Sequence, residues 1–81
     1  MINIKVIGKE SSNRTKLLKN LSKVKNEIDE KFSVEIIDNI NLFNEYNITN
    51  FPSLIINDKV VSEGKILTDR EIKRFIKVLN T

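Results

Sequence analysis

The sequence predicts an α/β domain with the element order βαβαββα. Three observations carry that reading. Ile2, Ile4 and Val6 alternate with Asn3 and Lys5, and after Gly8 the apolar residues recur at helical spacing instead. Near the other end, Thr68-Asp69-Arg70-Glu71 is a capping box that opens a second amphipathic run. Between them, two β-branched runs meet across Asn57-Asp58, which fits a two-residue hairpin turn.

Each element follows from its residues. The alternation from Ile2 to Val6 is that of a half-buried strand, and Gly8 ends it. Ser11 or Ser12 can cap the next helix. Leu17, Leu18, Leu21, Val24 and Ile28 form its apolar stripe, with Lys16, Lys19, Lys23 and Lys25 mainly off it. The stripe predicts a helix of about 17 residues. Phe32-Ser33-Val34-Glu35-Ile36-Ile37 reads as the second strand. Asp38 or Asn39 can cap a short helix carrying Leu42, Phe43 and Tyr46, and Asn47 can stop it in a left-handed conformation. Asn50-Phe51-Pro52 is not helical, because the residue before proline avoids that region. Leu54-Ile55-Ile56 is a third strand, and Lys59-Val60-Val61-Ser62-Glu63 a fourth, broken by Gly64. The closing helix places Ile72, Phe75, Ile76 and Leu79 on one face.

Composition bounds the function. An 81-residue chain with 40% hydrophobic and 31% charged residues fits one domain, residues 1–81, with a modest core. It has no cysteine, which excludes disulfides, redox CxxC motifs and thiolate metal sites. It has no histidine, the commonest metal ligand and general base. No metal or other cofactor is expected. The N-terminal residues alternate too much for a signal peptide, and no apolar run is long enough to span a bilayer, so a cytoplasmic protein with no membrane role is expected. The net charge of +3 is unevenly placed. Residues 1–31 carry eight basic against four acidic residues, residues 32–67 two against five, and residues 68–81 four against two. The basic residues lie on the two long helices, where a solvated face explains them. The acidic middle and the lack of exposed aromatics for stacking make nucleic acid an unexpected partner.

In this order the elements resemble the minimal thioredoxin or glutaredoxin fold. Four features carry the resemblance, over almost the whole chain. Ile7-Gly8-Lys9-Glu10-Ser11-Ser12-Asn13-Arg14-Thr15-Lys16-Leu17 resembles the active-site segment of the small thioredoxin-like proteins called redox-active disulfide proteins. Tyr46-Asn47-Ile48-Thr49-Asn50-Phe51-Pro52-Ser53-Leu54 resembles the segment that carries the family's cis-proline. The turn Asn57-Asp58-Lys59 with Gly64, and the helix opening at Thr68, complete the match. The resemblance implies a four-stranded mixed sheet flanked by three helices and a cis Phe51–Pro52 bond. It implies that Ser11 and Arg14 stand where the two thiols of the CxxC would be.

No thiol–disulfide oxidoreductase activity is therefore expected. A serine hydroxyl is a far weaker acid than a thiol, and no histidine is present to activate it. The helix N-terminus keeps its unpaired N–H groups, with Lys9 and Arg14 adding charge and Ser11, Ser12 and Asn13 adding small polar groups. A plain cap with solvated neighbours accounts for the same residues. Phe51 is either a core residue or an exposed contact beside the proline, and Tyr46 is a core residue. The site so defined comprises Lys9, Ser11, Ser12, Asn13, Arg14, Phe51, Pro52 and Ser53. Two functions fit it. One is a non-catalytic module that grips an extended peptide or partner protein between the former CxxC loop and the cis-proline. The other is a binder of a small anionic ligand, glutathione-like or phosphate-bearing, at the helix N-terminus.

Overall fold

A computed structural model describes residues 2–79. The chain forms β1 (Ile2–Ile7), α1 (Ser12–Glu27), β2 (Phe32–Ile37), α2 (Ile40–Phe43), a 3₁₀ turn (Asn44–Tyr46), β3 (Ser53–Ile56), β4 (Lys59–Glu63) and α3 (Asp69–Leu79). The sheet order is β2-β1-β3-β4. β1 and β2 run parallel, with Ile4 opposite Val34. β3 is antiparallel to both β1 and β4, with Val6 opposite Leu54 and Ile55 opposite Val60. This is the mixed four-stranded sheet with three helices expected from the sequence.

The pleat sorts apolar residues into two layers. Ile2, Ile4 and Val6 of β1 and Leu54 and Ile56 of β3 join Leu17, Leu21 and Val24 of α1 and Ile72 and Ile76 of α3 in the larger core. On the opposite face Ile7, Ile37, Ile48 and Ile55 form a smaller core, with Phe43 and Tyr46 packed against it. β3 is buried along its length, as a central strand covered on both faces must be.

Local chemistry sets the boundaries. Ser11 caps α1, its hydroxyl accepting from the Arg14 N–H at 3.1 Å. Ile28 turns extended at the other end, so α1 has 16 residues and Ile28 packs on the core from its C-cap. Asn39 caps α2 through the Asn41 N–H, and Asn47 ends the following turn at φ 55°. Asn57 and Asp58 both have positive φ, the signature of a type I′ hairpin. The Asn57 side chain accepts from the Asn3 N–H at 2.8 Å, tying that turn to β1. The capping box is formed, with the Glu71 carboxylate accepting from the Thr68 N–H and the Thr68 hydroxyl from the Glu71 N–H, each at 3.2 Å. Asn20 donates to the Leu67 carbonyl at 2.8 Å and joins α1 to the segment before α3. Lys73 and Glu27 form an exposed ion pair worth little to stability. Among the described residues no helix is long and apolar enough to cross a membrane.

Candidate functional site

Two loops converge at one end of the sheet. The first leaves β1 at Gly8, whose φ of 151° lies where L side chains rarely go. Its N–H still donates to the Ile37 carbonyl at 2.9 Å. A Cβ built on Gly8 would stand 3.4 Å from the Pro52 Cα and 3.5 Å from the Phe51 Cβ. The second loop is therefore in direct contact with the first. Its Phe51–Pro52 bond is cis. The Pro52 carbonyl accepts from the Gly64 N–H at 2.9 Å, and the buried Ser53 hydroxyl donates to the Asn50 carbonyl at 2.6 Å.

Between these loops and α2 lies an open cleft of about 490 Å³, lined by Lys9, Glu10, Ser11, Asn13, Ile40, Phe43, Phe51 and Pro52. Its floor is aromatic. Phe51 lies against Phe43 with ring centroids 4.6 Å apart and planes tilted by 34°. Phe51 is nonetheless 40% exposed, and Ile40 is exposed too. Phe51 precedes β3, whose pairing with both neighbours begins at Ser53. Its backbone N–H and carbonyl take no part in the turn and loop hydrogen bonds among the described residues.

The sequence-predicted residues fall into two groups. Lys9, Ser11, Asn13, Phe51 and Pro52 meet around the cleft. Ser12, Arg14 and Ser53 do not line it. Arg14 folds back, its Nη1 donating to the Gly8 carbonyl at 3.2 Å, and its Nε is buried without a partner among the described residues. It braces the loop and does not line the cleft. Ser53 is fully buried under the proline loop. Glu10, Ile40 and Phe43 line the cleft and were not foreseen there. Sequence patterning places Phe43 on the short helix without giving it a face, and nothing local marks its ring as shared between core and cleft. Tyr46 is half-buried against the smaller core, with the Lys5 ammonium 5.6 Å from its ring centre. The described residues contain no cluster of three carboxylates suited to a metal ion.

The model for the thioredoxin domain matches residues 2–77. The chain belongs to the thioredoxin-domain family. Its fold is similar to that of chloroplastic thioredoxin z, at 20% identity and a TM-score of 0.82, covering 99% of this chain and 79% of the other. Thioredoxin-2 of the malaria parasite, a component of its protein secretion machinery, is 13% identical with a TM-score of 0.77, over 96% of this chain and 82% of that one. A further malarial protein matches at 13% identity and a TM-score of 0.76 over 96% of both chains. No curated protein matches the sequence. This thioredoxin-like domain carries Ser11-Ser12-Asn13-Arg14 at the cap and first turn of α1 and has no cysteine anywhere, so thiol–disulfide exchange is closed to it.

Proposed function

We propose that this thioredoxin-like domain is a non-catalytic binding module for an extended peptide segment of a partner protein. The observation that carries the reading is the Phe51 segment. Its backbone amide group is unpaired among the described residues, beside the cis-proline and next to a cleft lined by two phenylalanine rings in contact. An extended peptide can pair with that backbone and seat one apolar side chain on the rings. Burying the exposed part of Phe51 and Ile40 supplies an apolar driving force that a redox centre is not needed for.

The alternative, a small anionic ligand at the start of α1, has less support. Arg14 donates to the Gly8 carbonyl and does not line the cleft, while Glu10, an acidic residue, does. The Arg14 N–H is already taken by the Ser11 hydroxyl.

Titration of the isotope-labelled chain with short extended peptides bearing one aromatic or branched aliphatic residue tests the reading. Chemical-shift changes are expected at residues 9–13, Ile40, Phe43 and 51–53, with Phe51→Ala weakening binding at least about tenfold. Shifts that map elsewhere, or affinity unchanged by Phe51→Ala, refute it. Calorimetry with glutathione and inorganic phosphate at low salt tests the alternative, which requires affinity lost in Lys9→Ala.

A further inference from the structure

The far edge of the sheet is formed by β2. Among the described residues β2 is an edge strand, with β1 as its one neighbour in the sheet. Its backbone orientation follows from its ends. The Lys31 carbonyl accepts from the Ile2 N–H at 3.1 Å, and the Ile37 carbonyl from the Gly8 N–H at 2.9 Å. Odd-numbered residues thus turn their backbone groups toward β1. Backbone groups alternate along a strand, so Phe32, Val34 and Ile36 turn theirs outward. On the helix side of this edge, Val34 and Ile36 are 38% and 43% exposed. Val34 also helps line a shallow cleft of about 200 Å³ with Leu18, Leu21, Ser22 and Lys25.

The two edges of the sheet differ in protection. β4 has a register shift opposite Leu54/Ile55, begins with Lys59 and ends with Glu63. Irregularity and terminal charge discourage edge pairing. β2 pairs with β1 in unbroken register over six residues and carries a single charge, Glu35.

We propose that β2 pairs antiparallel with β2 of a second copy, joining two four-stranded sheets into one. A twofold axis normal to the sheet keeps its faces aligned, so residues of like parity stand opposite. Three registers then compete. Centred on Glu35, two like charges face each other, which destabilises the pair. Centred on Ser33, Ile36 falls opposite Glu30, outside the strand. Centred on Val34, Val34 faces Val34, Phe32 faces Ile36 on both sides, and every outward backbone group finds a partner. On the other face Glu35 then faces Ser33 of the second copy and lies diagonal to its Lys31, within reach of a long side chain. The strand is thus complementary to itself in charge, apolar surface and hydrogen bonding in one register. That self-complementarity selects a second copy over a foreign strand.

Sedimentation across a concentration series, with directed crosslinking, tests the proposal on the intact chain. The native chain is expected to dimerise with rising concentration, and Val34→Lys to weaken association at least about tenfold by placing two ammonium groups at the axis. Because the chain has no cysteine, single substitutions report distance directly. In the Val34 register two copies of residue 34 have Cα atoms about 5.5 Å apart, inside the range a disulfide spans. Two copies of residue 36 are offset by four residues, about 14 Å, and cannot be bridged. Val34→Cys is therefore expected to crosslink under oxidising conditions at least about tenfold faster than Ile36→Cys. A chain that stays monomeric at every concentration overturns the proposal. So does a dimer indifferent to Val34→Lys, or equal crosslinking of the two cysteine variants. If Val34→Lys fails to fold, the crosslinking comparison decides alone.

Discussion

Replacing Ser11 by alanine removes one acceptor at the point where the family's nucleophilic thiol would sit. The Ser11 hydroxyl takes the Arg14 N–H at 3.1 Å, while its carbonyl accepts from the Thr15 N–H at 3.0 Å and survives the change. Ser11 is exposed, so no cavity forms and no apolar contact is lost. The cost is then that of a helix cap alone, about 1 kcal/mol. In a domain of this size that lowers the melting temperature by about 4–8 °C. Ser12 is the first residue inside α1 and also exposed, so Ser12→Ala is expected to change stability by less than about 0.5 kcal/mol. Thermal and urea unfolding followed by far-ultraviolet circular dichroism measure both. Equal effects of the two substitutions, or a loss at Ser12 only, refute the assignment of the cap. A loss well above the range of a cap would mean that Ser11 holds more of the loop than its one hydrogen bond implies.

Two other substitutions probe the fold around the site. Gly8→Ala places a side chain at φ 151°, within ordinary contact distance of Pro52 and Phe51, and is expected to destabilise by about 1–3 kcal/mol through backbone strain and to shift resonances of both loops; an alanine variant as stable as the native chain would show that residue 8 is not held at that φ. Leu21→Ala opens a cavity in the larger core, where Leu21 is 1% exposed, and is expected to cost about 2–5 kcal/mol in urea unfolding; a cost below that range would place Leu21 outside the packed core.

The element order was legible because each boundary has local chemistry. Gly8, Asn47 and Gly64 mark backbone that most residues resist, Asn57-Asp58 sets the hairpin, and Thr68 with Glu71 closes a cap on itself. Periods of two and of 3.6 then fill the intervals between them. Some limits of the reading are also local. Ser11 and Ser12 are adjacent serines, and sequence leaves the choice of cap open. The structure decides it by the hydrogen bond to Arg14. The helix-side stripe from Leu17 to Ile28 continues one residue past the helix, because Ile28 packs from an extended cap.

The meeting of the two loops was legible in the sequence, but not the direction of their side chains. Sequence placed Ser11-Ser12-Asn13-Arg14 beside Phe51-Pro52, and the contact through Gly8 brings those loops together. It did not reveal that Arg14 bends back, that Ser53 is buried, or that Phe43 supplies half of the aromatic floor. Residue type fixes what a side chain can bond to. Its direction depends on neighbours more distant in sequence.

The absence of cysteine, the cap residues and the alternation of apolar residues belong to the chain alone, and they determined the order of elements and the loss of thiol chemistry. Tertiary structure decided the shape of the surface left at that place. Only when α2 packs beside the proline loop do the Phe43 and Phe51 rings come into contact, because seven residues lie between them and no local rule spans that distance. Only the sheet order leaves β2 at an edge, so that a strand with an ordinary apolar sequence turns a row of backbone groups away from the sheet.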